Sequence, residues 1–148
     1  MQQHRRDNRD YIRKIDFVFH NEAAIRAAVE EERMGGKYVP ELRNGSGLPD
    51  PTATEAIRNL SPIQSVTIDG QILKYPERWL VVIDKTYNWC RRQGEKYYEV
   101  ARARYNDEYF VRTCTKLDLT FTLFYRIVER IKMYAALQAA QLNLIYVE

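Results

Sequence analysis

Thr122, Tyr125 and Arg126 fall on one stretch of helical surface in the segment NDEYFVRTCTKLDLTFTLFYRIVERI, residues 106–131, with Phe121 and Glu129 beside them. Side chains of these types suit the major groove of B-form DNA, which admits one α-helix and lets its first turns reach base edges. A guanidinium at Arg126 can hold guanine through two parallel hydrogen bonds, a contact that contributes ~1–3 kcal/mol of discrimination. Thr122 can touch a thymine methyl or a phosphate. Arg112, Lys116, Arg130 and Lys132 are placed for phosphate oxygens, which hold register without reading sequence. Phe121 is expected to pack rather than to read, on residue type alone.

Positioning these groups requires two helices and a sharp turn. Apolar residues recur at helical spacing on both sides of residue 118: Phe110, Cys114 and Leu117 before it, Phe124, Ile127 and Ile131 after it. Asp118 sits at the break, and Asp is among the few residues besides glycine that tolerate a positive φ. Thr120 can cap the second helix by accepting a bond from a free backbone N–H. The pattern predicts a helix-turn-helix over 107–131, with residues 120 onward as its recognition helix. The same stripes and cap would serve any helical hairpin with a short connection.

The formal net charge is only +3 over 148 residues, so the distribution of charge carries more meaning than the sum. One basic cluster holds Arg5, Arg6, Arg9, Arg13 and Lys14; a second runs from Lys85 to Lys132 and includes Arg91, Arg92 and Lys96. Asp84, Glu95, Glu99, Asp107, Glu108, Asp118 and Glu129 partly offset the second, which leaves a solvated helix surface as the alternative reading. Catalysis finds little support. His4 and His20 lack a Cys, Asp or Glu constellation at ligand spacing, and Gly45-Ser46-Gly47 lacks the Lys and the helix of a phosphate loop. Neither a metal nor a cofactor is expected. Cys90 and Cys114 lie far apart on apolar stripes and read as free, packed thiols in a reducing compartment. The first apolar residues are too diluted by charge for a signal peptide, and no apolar run approaches the ~20 residues of a membrane span. A cytoplasmic location with no membrane partner is the expectation.

Along the chain, residues 5–34 read as one amphipathic helix, with Ile12, Ile15, Val18, Ile25 and Val29 at three- and four-residue steps and a stop at Met34-Gly35-Gly36. The stretch GGKYVPELRNGSGLPD, residues 35–50, reads as a flexible linker. Residues 1–49 are therefore expected to hold an N-terminal helix and linker, and residues 50–148 a helical DNA-binding domain. A short helix follows Asp50 and ends before Ser61-Pro62. Residues 65–74 predict a β-hairpin turning at Asp69-Gly70, with Val66 facing Leu73 and Thr67 facing Ile72. Pro76 opens a helix that buries Trp79, Leu80, Ile83, Tyr87 and Cys90 and breaks at Gln93-Gly94. Glu95 to Tyr105 forms the next, with Tyr98 and Ala101 inward and Arg102 and Arg104 outward. The last helix runs on through Tyr134, Ala135, Leu137 and Leu142, a surplus that either covers the core or pairs with a second copy. The fold class is mainly α: an N-terminal helical arm, a small β-hairpin, and a C-terminal helical bundle carrying the helix-turn-helix.

The stretch QGEKYYEVARARYNDEYFVRTCTKLDLTFTLFYRIVERI resembles the region-4 helix-turn-helix of bacterial sigma factors and of related phage regulators. With DPTATEAIRNL and ILKYPERWLVVIDKTY before it, the chain resembles, over roughly residues 50–142, the RinA-like activators of phage late genes for packaging and morphogenesis, with ArpU-like regulators as relatives. By that resemblance Thr120, Thr122, Tyr125 and Arg126 stand where the recognition helix carries its Ser/Thr-rich start and Tyr-Arg pair. Three positions depart from the pattern: Phe121 replaces a basic or polar residue, Leu123 a Ser or Thr, and Thr113 an Ile or Leu. The resemblance implies a sequence-specific activator that binds double-stranded DNA at a late promoter and works with host RNA polymerase, a homodimer being one expected form. Two other functions fit the same residues. One is a small-terminase-like recognition subunit for DNA packaging, and the other an anti-sigma-like protein that binds the polymerase.

Overall fold

The computed structural model describes residues 2–35, 61–106 and 109–145. It is mainly helical with one small antiparallel sheet. In chain order the elements are α1 (Gln2–His20), α2 (Glu22–Gly35), β1 (Ser65–Ile68), β2 (Gln71–Lys74), α3 (Pro76–Gln93), α4 (Glu95–Tyr105), α5 (Phe110–Leu117) and α6 (Phe121–Gln141). The chain divides into two compact units, Met1–Glu22 with Arg78–Glu148, and Ala23–Glu77. The expected boundary at 49/50, the linker beyond Gly35 and the short helix after Asp50 lie outside the described residues.

The single helix expected over 5–34 is two. At Asn21 the side-chain Nδ2 donates to the Phe17 carbonyl at 2.8 Å, and the backbone N–H donates to Phe17 and Val18 at 3.1 and 3.2 Å. A short amide side chain that competes for helix carbonyls offers the backbone another partner, and the helix stops at His20. Ile15, Val18, Phe19 and Ile25 are buried as the stripe required.

In the smaller unit the hairpin has the expected register, Val66 opposite Leu73 and Thr67 opposite Ile72. Asp69 and Gly70 both have positive φ, 51° and 76°, the two-residue turn whose twist matches paired strands. One face carries Val66, Ile68 and Leu73, all buried, while Ile72 on the other is exposed. Glu77 fastens this unit: its Oε1 accepts from Arg33 at 2.6 Å and from the Ile63 N–H at 3.1 Å.

In the larger unit α6 packs on α4 and α1, and α4 also packs on α5 and α1. Gly94, at φ 134°, breaks α3 from α4 in a conformation that side chains rarely adopt. Cys90, Val100, Ala101, Phe124, Ile127 and Ile131 anchor the core of this unit. Trp79, Ile83 and Cys90 are buried as expected, but so are Val82 and Thr86, because α3 is covered over a wider arc than its apolar stripe suggests. Thr86 meets its polar requirement by donating to the Val82 carbonyl at 2.7 Å. Leu137, expected inward, is 53% exposed, while Ala135, Ala136 and Ala139 face the core. Leu137 falls on the stripe of Arg126 and Met133, both exposed, opposite these alanines. Tyr134 stays half-buried by stacking on Trp89 at 4.5 Å and 8°.

Asp16 of α1 is the polar centre of this unit. It accepts from the Tyr105 hydroxyl at 3.0 Å, from Arg104 at 3.4 Å and from Lys132 at 3.2 Å. Arg104 is thereby turned from the solvent-facing position that its spacing predicts. Burial, with the Asp16 charge beside it, pushes the Tyr105 phenol far above its ordinary range. Burial does the same to Tyr87.

Candidate nucleic-acid interface

Residues 109–130 build a corner of two helices from local chemistry. α5 ends on Asp118, which adopts the left-handed conformation (φ 54°, ψ 51°) that Asp is among the few residues to tolerate. The Leu119 N–H donates to the Cys114 carbonyl at 2.8 Å and the Asp118 N–H to Thr115 at 3.4 Å, the paired bonds of a Schellman stop. Leu119 and Cys114 are both buried beneath the turn, the apolar contact that accompanies such a stop. Thr120 is then the N-cap of α6, its hydroxyl accepting from the Leu123 N–H at 3.1 Å. Beyond Thr120, Phe124, Ile127, Val128 and Ile131 turn into the core and fix the roll of the helix.

That roll decides what faces outward. At roughly 100° per residue, Thr122, Arg126 and Glu129 occupy the middle of the exposed stripe. Phe121 and Tyr125 lie on the flank toward α5, and Leu123 and Arg130 on the opposite flank. Thr120, Thr122, Tyr125 and Arg126 are all exposed, Tyr125 at 49%. On α5, Arg112 and Lys116 are exposed one turn apart. Arg130 is exposed too, and it is held in place by donating to the Tyr97 hydroxyl at 2.8 Å. Among the described residues 109–130 the exposed charges are therefore four cations, Arg112, Lys116, Arg126 and Arg130, against two carboxylates, Asp118 and Glu129.

Lys132 does not join them. Its side chain is 11% exposed and its ammonium is 3.2 Å from Asp16, so it faces α1 rather than solvent. The spacing carries a signal for this: Lys132 follows Phe121 by three helical turns, on the flank where Val128 and Ala136 are also buried. Phe121 departs in the other direction. Expected to pack, it is 53% exposed. The missed contributor is Tyr97, which no spacing rule ties to Arg130; Phe110, expected on the apolar stripe, also reaches the exposed flank, its half-buried ring meeting Phe121, Phe124 and Tyr125 at centroid distances of 5.4, 5.5 and 6.2 Å.

Cys90 and Cys114 are free and buried, and burial pushes the Cys90 thiol up to about 12. Among the described residues no group of three or more His, Cys, Asp or Glu side chains could hold a metal ion, and no helix is long and apolar enough to cross a membrane. In comparisons with known proteins no family model matches this chain, and neither a curated protein nor a solved structure does.

Proposed function

We propose that this chain is a sequence-specific DNA-binding activator of the RinA-like type, with a sigma-region-4-like helix-turn-helix, acting on late phage genes with host RNA polymerase. The observation that carries the reading is the start of α6. A helix fixed by a left-handed stop before it and a threonine cap at its first turn presents Thr122, Tyr125 and Arg126 outward, with Arg112, Lys116 and Arg130 around them. A groove reader needs this division: a rigid helix end with hydrogen-bonding and apolar side chains for base edges, and flanking cations for phosphate. The resemblance to RinA-like activators supplies the rest, namely the late promoter and the polymerase.

The test is a mobility shift on fragments of the phage late region, with footprinting of any shifted fragment in the presence and absence of polymerase. Binding of a discrete site at least a hundredfold tighter than random DNA of equal length at physiological salt is expected, and equal binding to both overturns the reading. Arg126→Ala should cost ~1–3 kcal/mol at one base position and relax preference there. The exposed rings of Phe121 and Tyr125 favour one rival, an anti-sigma-like protein whose aromatic corner meets polymerase directly. Salt-sensitive binding to polymerase with no DNA present, and no footprint, is the result expected of it.

A further inference from the structure

Phe121 opens α6 with an aromatic ring at a position where the cap needs none, since Thr120 already closes the helix end. The ring is 53% exposed, yet it is held. It meets Phe110 at 5.4 Å and 61°, and Phe110 in turn rests on the buried ring of Phe124 at 5.5 Å. The exposed ring thus stands on a pedestal that reaches the core. Tyr125 lies one turn further along the same flank, its ring also against Phe110 at 6.2 Å. Beside this apolar flank run Thr122, Arg126 and Glu129, and across the turn at Asp118 stand Arg112 and Lys116, so among the described residues on these faces three cations stand against two carboxylates. That balance favours a polyanion as the partner. On a DNA duplex the major-groove edge offers one apolar feature, the C5-methyl of thymine, which Phe is among the side chains able to contact.

We infer that Phe121 is a specificity-determining residue that packs on a thymine methyl, so that the recognised site carries thymine where the first turn of α6 enters the groove. The inference rests on the proposed groove-reading function and names a base that function leaves open. A phenyl ring fixed at the rim asks for no hydrogen bond and leaves none unmet, so it discriminates by the methyl alone. Burial of one methyl-sized group corresponds to about a fourfold change in affinity.

The experiment uses the full chain and a duplex recovered by repeated selection from a random-sequence pool, resynthesised with deoxyuridine for thymidine, a change that removes only methyl groups. Wild-type protein should bind the uracil duplex about fourfold more weakly for each contacted methyl, with the loss localised to one or two positions by single replacements. Phe121→Ala should lose the uracil penalty at the position that faces Phe121 while keeping any penalty at another position that Thr122 supplies, and Phe121→Leu should keep part of the difference. Equal binding of both duplexes by the wild type, or single-replacement penalties that are all unchanged in Phe121→Ala, overturns the inference while leaving groove reading intact. A pool that never converges removes both. If Phe121→Ala instead abolishes self-association in sedimentation and leaves DNA affinity unchanged, the ring belongs to a protein interface and the inference fails.

Discussion

Lys116 and Lys132 carry the same charge and share a phosphate-facing expectation in the sequence, but their surroundings assign them different consequences. Lys116 is exposed on α5, and under the proposed groove-reading function replacing it with alanine should weaken binding to every duplex alike. Removing one lysine–phosphate pair should also lower the slope of log affinity against log salt by about 0.9. Lys132 is held by Asp16, so Lys132→Ala should leave that slope unchanged and lower the urea midpoint instead. Titrations of both variants at several salt concentrations, beside urea melts, separate the two roles; a shallower slope for Lys132→Ala would return it to the interface. Cys90 supplies a second residue-level consequence. Its thiol, ordinarily ionising at 9.0, is pushed up to about 12 by burial in the folded chain. Between those values the unfolded chain releases a proton that the folded chain keeps, so stability falls as pH rises through 9. Tyr87 and Tyr105, also raised by burial, extend the same fall to higher pH. Urea midpoints should therefore be level up to about pH 8 and decline beyond pH 9, and Cys90→Ala should lessen the first part of the decline, the rest coming from Cys114, whose thiol burial also raises.

At the scale of elements, the corner between α5 and α6 is held by two local devices that can be tested separately. Asp118 bears a conformational cost for its left-handed backbone, φ 54°, that glycine would not. Asp118→Gly is expected to be neutral or to stabilise by up to ~1 kcal/mol, whereas a β-branched Asp118→Val should destabilise by ~1–2 kcal/mol. Thr120→Ala removes the acceptor for the Leu123 N–H and should cost about 1 kcal/mol, while Thr120→Asp should be tolerated. Urea denaturation of the four variants decides; an Asp118→Val chain as stable as the parent would mean the turn is not held in this conformation. These devices are legible in the sequence because their causes lie within four residues of one another: a residue tolerant of positive φ, a hydroxyl before a helix, an Asp-Gly between two short apolar runs. The departures share a different cause. Apolar spacing shows that α6 has a buried side but not where its centre lies, and the alanines at 135, 136 and 139 carry no strong signal although they face the core. A roll of a few tens of degrees is enough to turn Leu137 out and Lys132 in, whereas Phe121 shares the flank of Lys132 and is exposed as the first residue of the helix. The break at Asn21 is hidden for a similar reason, since the apolar stripe on either side continues in phase.

For the larger unit as a whole, Asp16 is the polar centre that joins three elements distant in sequence. Its carboxylate receives the Tyr105 hydroxyl and Arg104 from α4 and Lys132 from α6, while Ile15, Val18 and Phe19 of α1 are buried around it. Apolar contact alone would seat α1 with some latitude along its axis. A carboxylate shared by two cations and a phenol fixes one position, because sliding α1 by a turn would strand all three partners. Asp16→Ala leaves Arg104 and Lys132 without their shared anion and the buried Tyr105 hydroxyl without an acceptor. Because Asp16 is still 23% exposed, the cost is set at ~1–3 kcal/mol rather than at the larger values of a sealed ion pair. Asp16→Asn keeps a carbonyl for Tyr105 and should lose less. Hydrogen exchange on the full chain is the sensitive reading: in Asp16→Ala, amides around Ile15–Phe19 should exchange faster, with α4 following, while the amides of Phe124–Val128 stay protected. Unchanged exchange in α1 would show that its apolar face alone seats it. Loss of protection throughout α5 and α6 would show instead that the corner which presents Arg126 depends on α1 for its own fold.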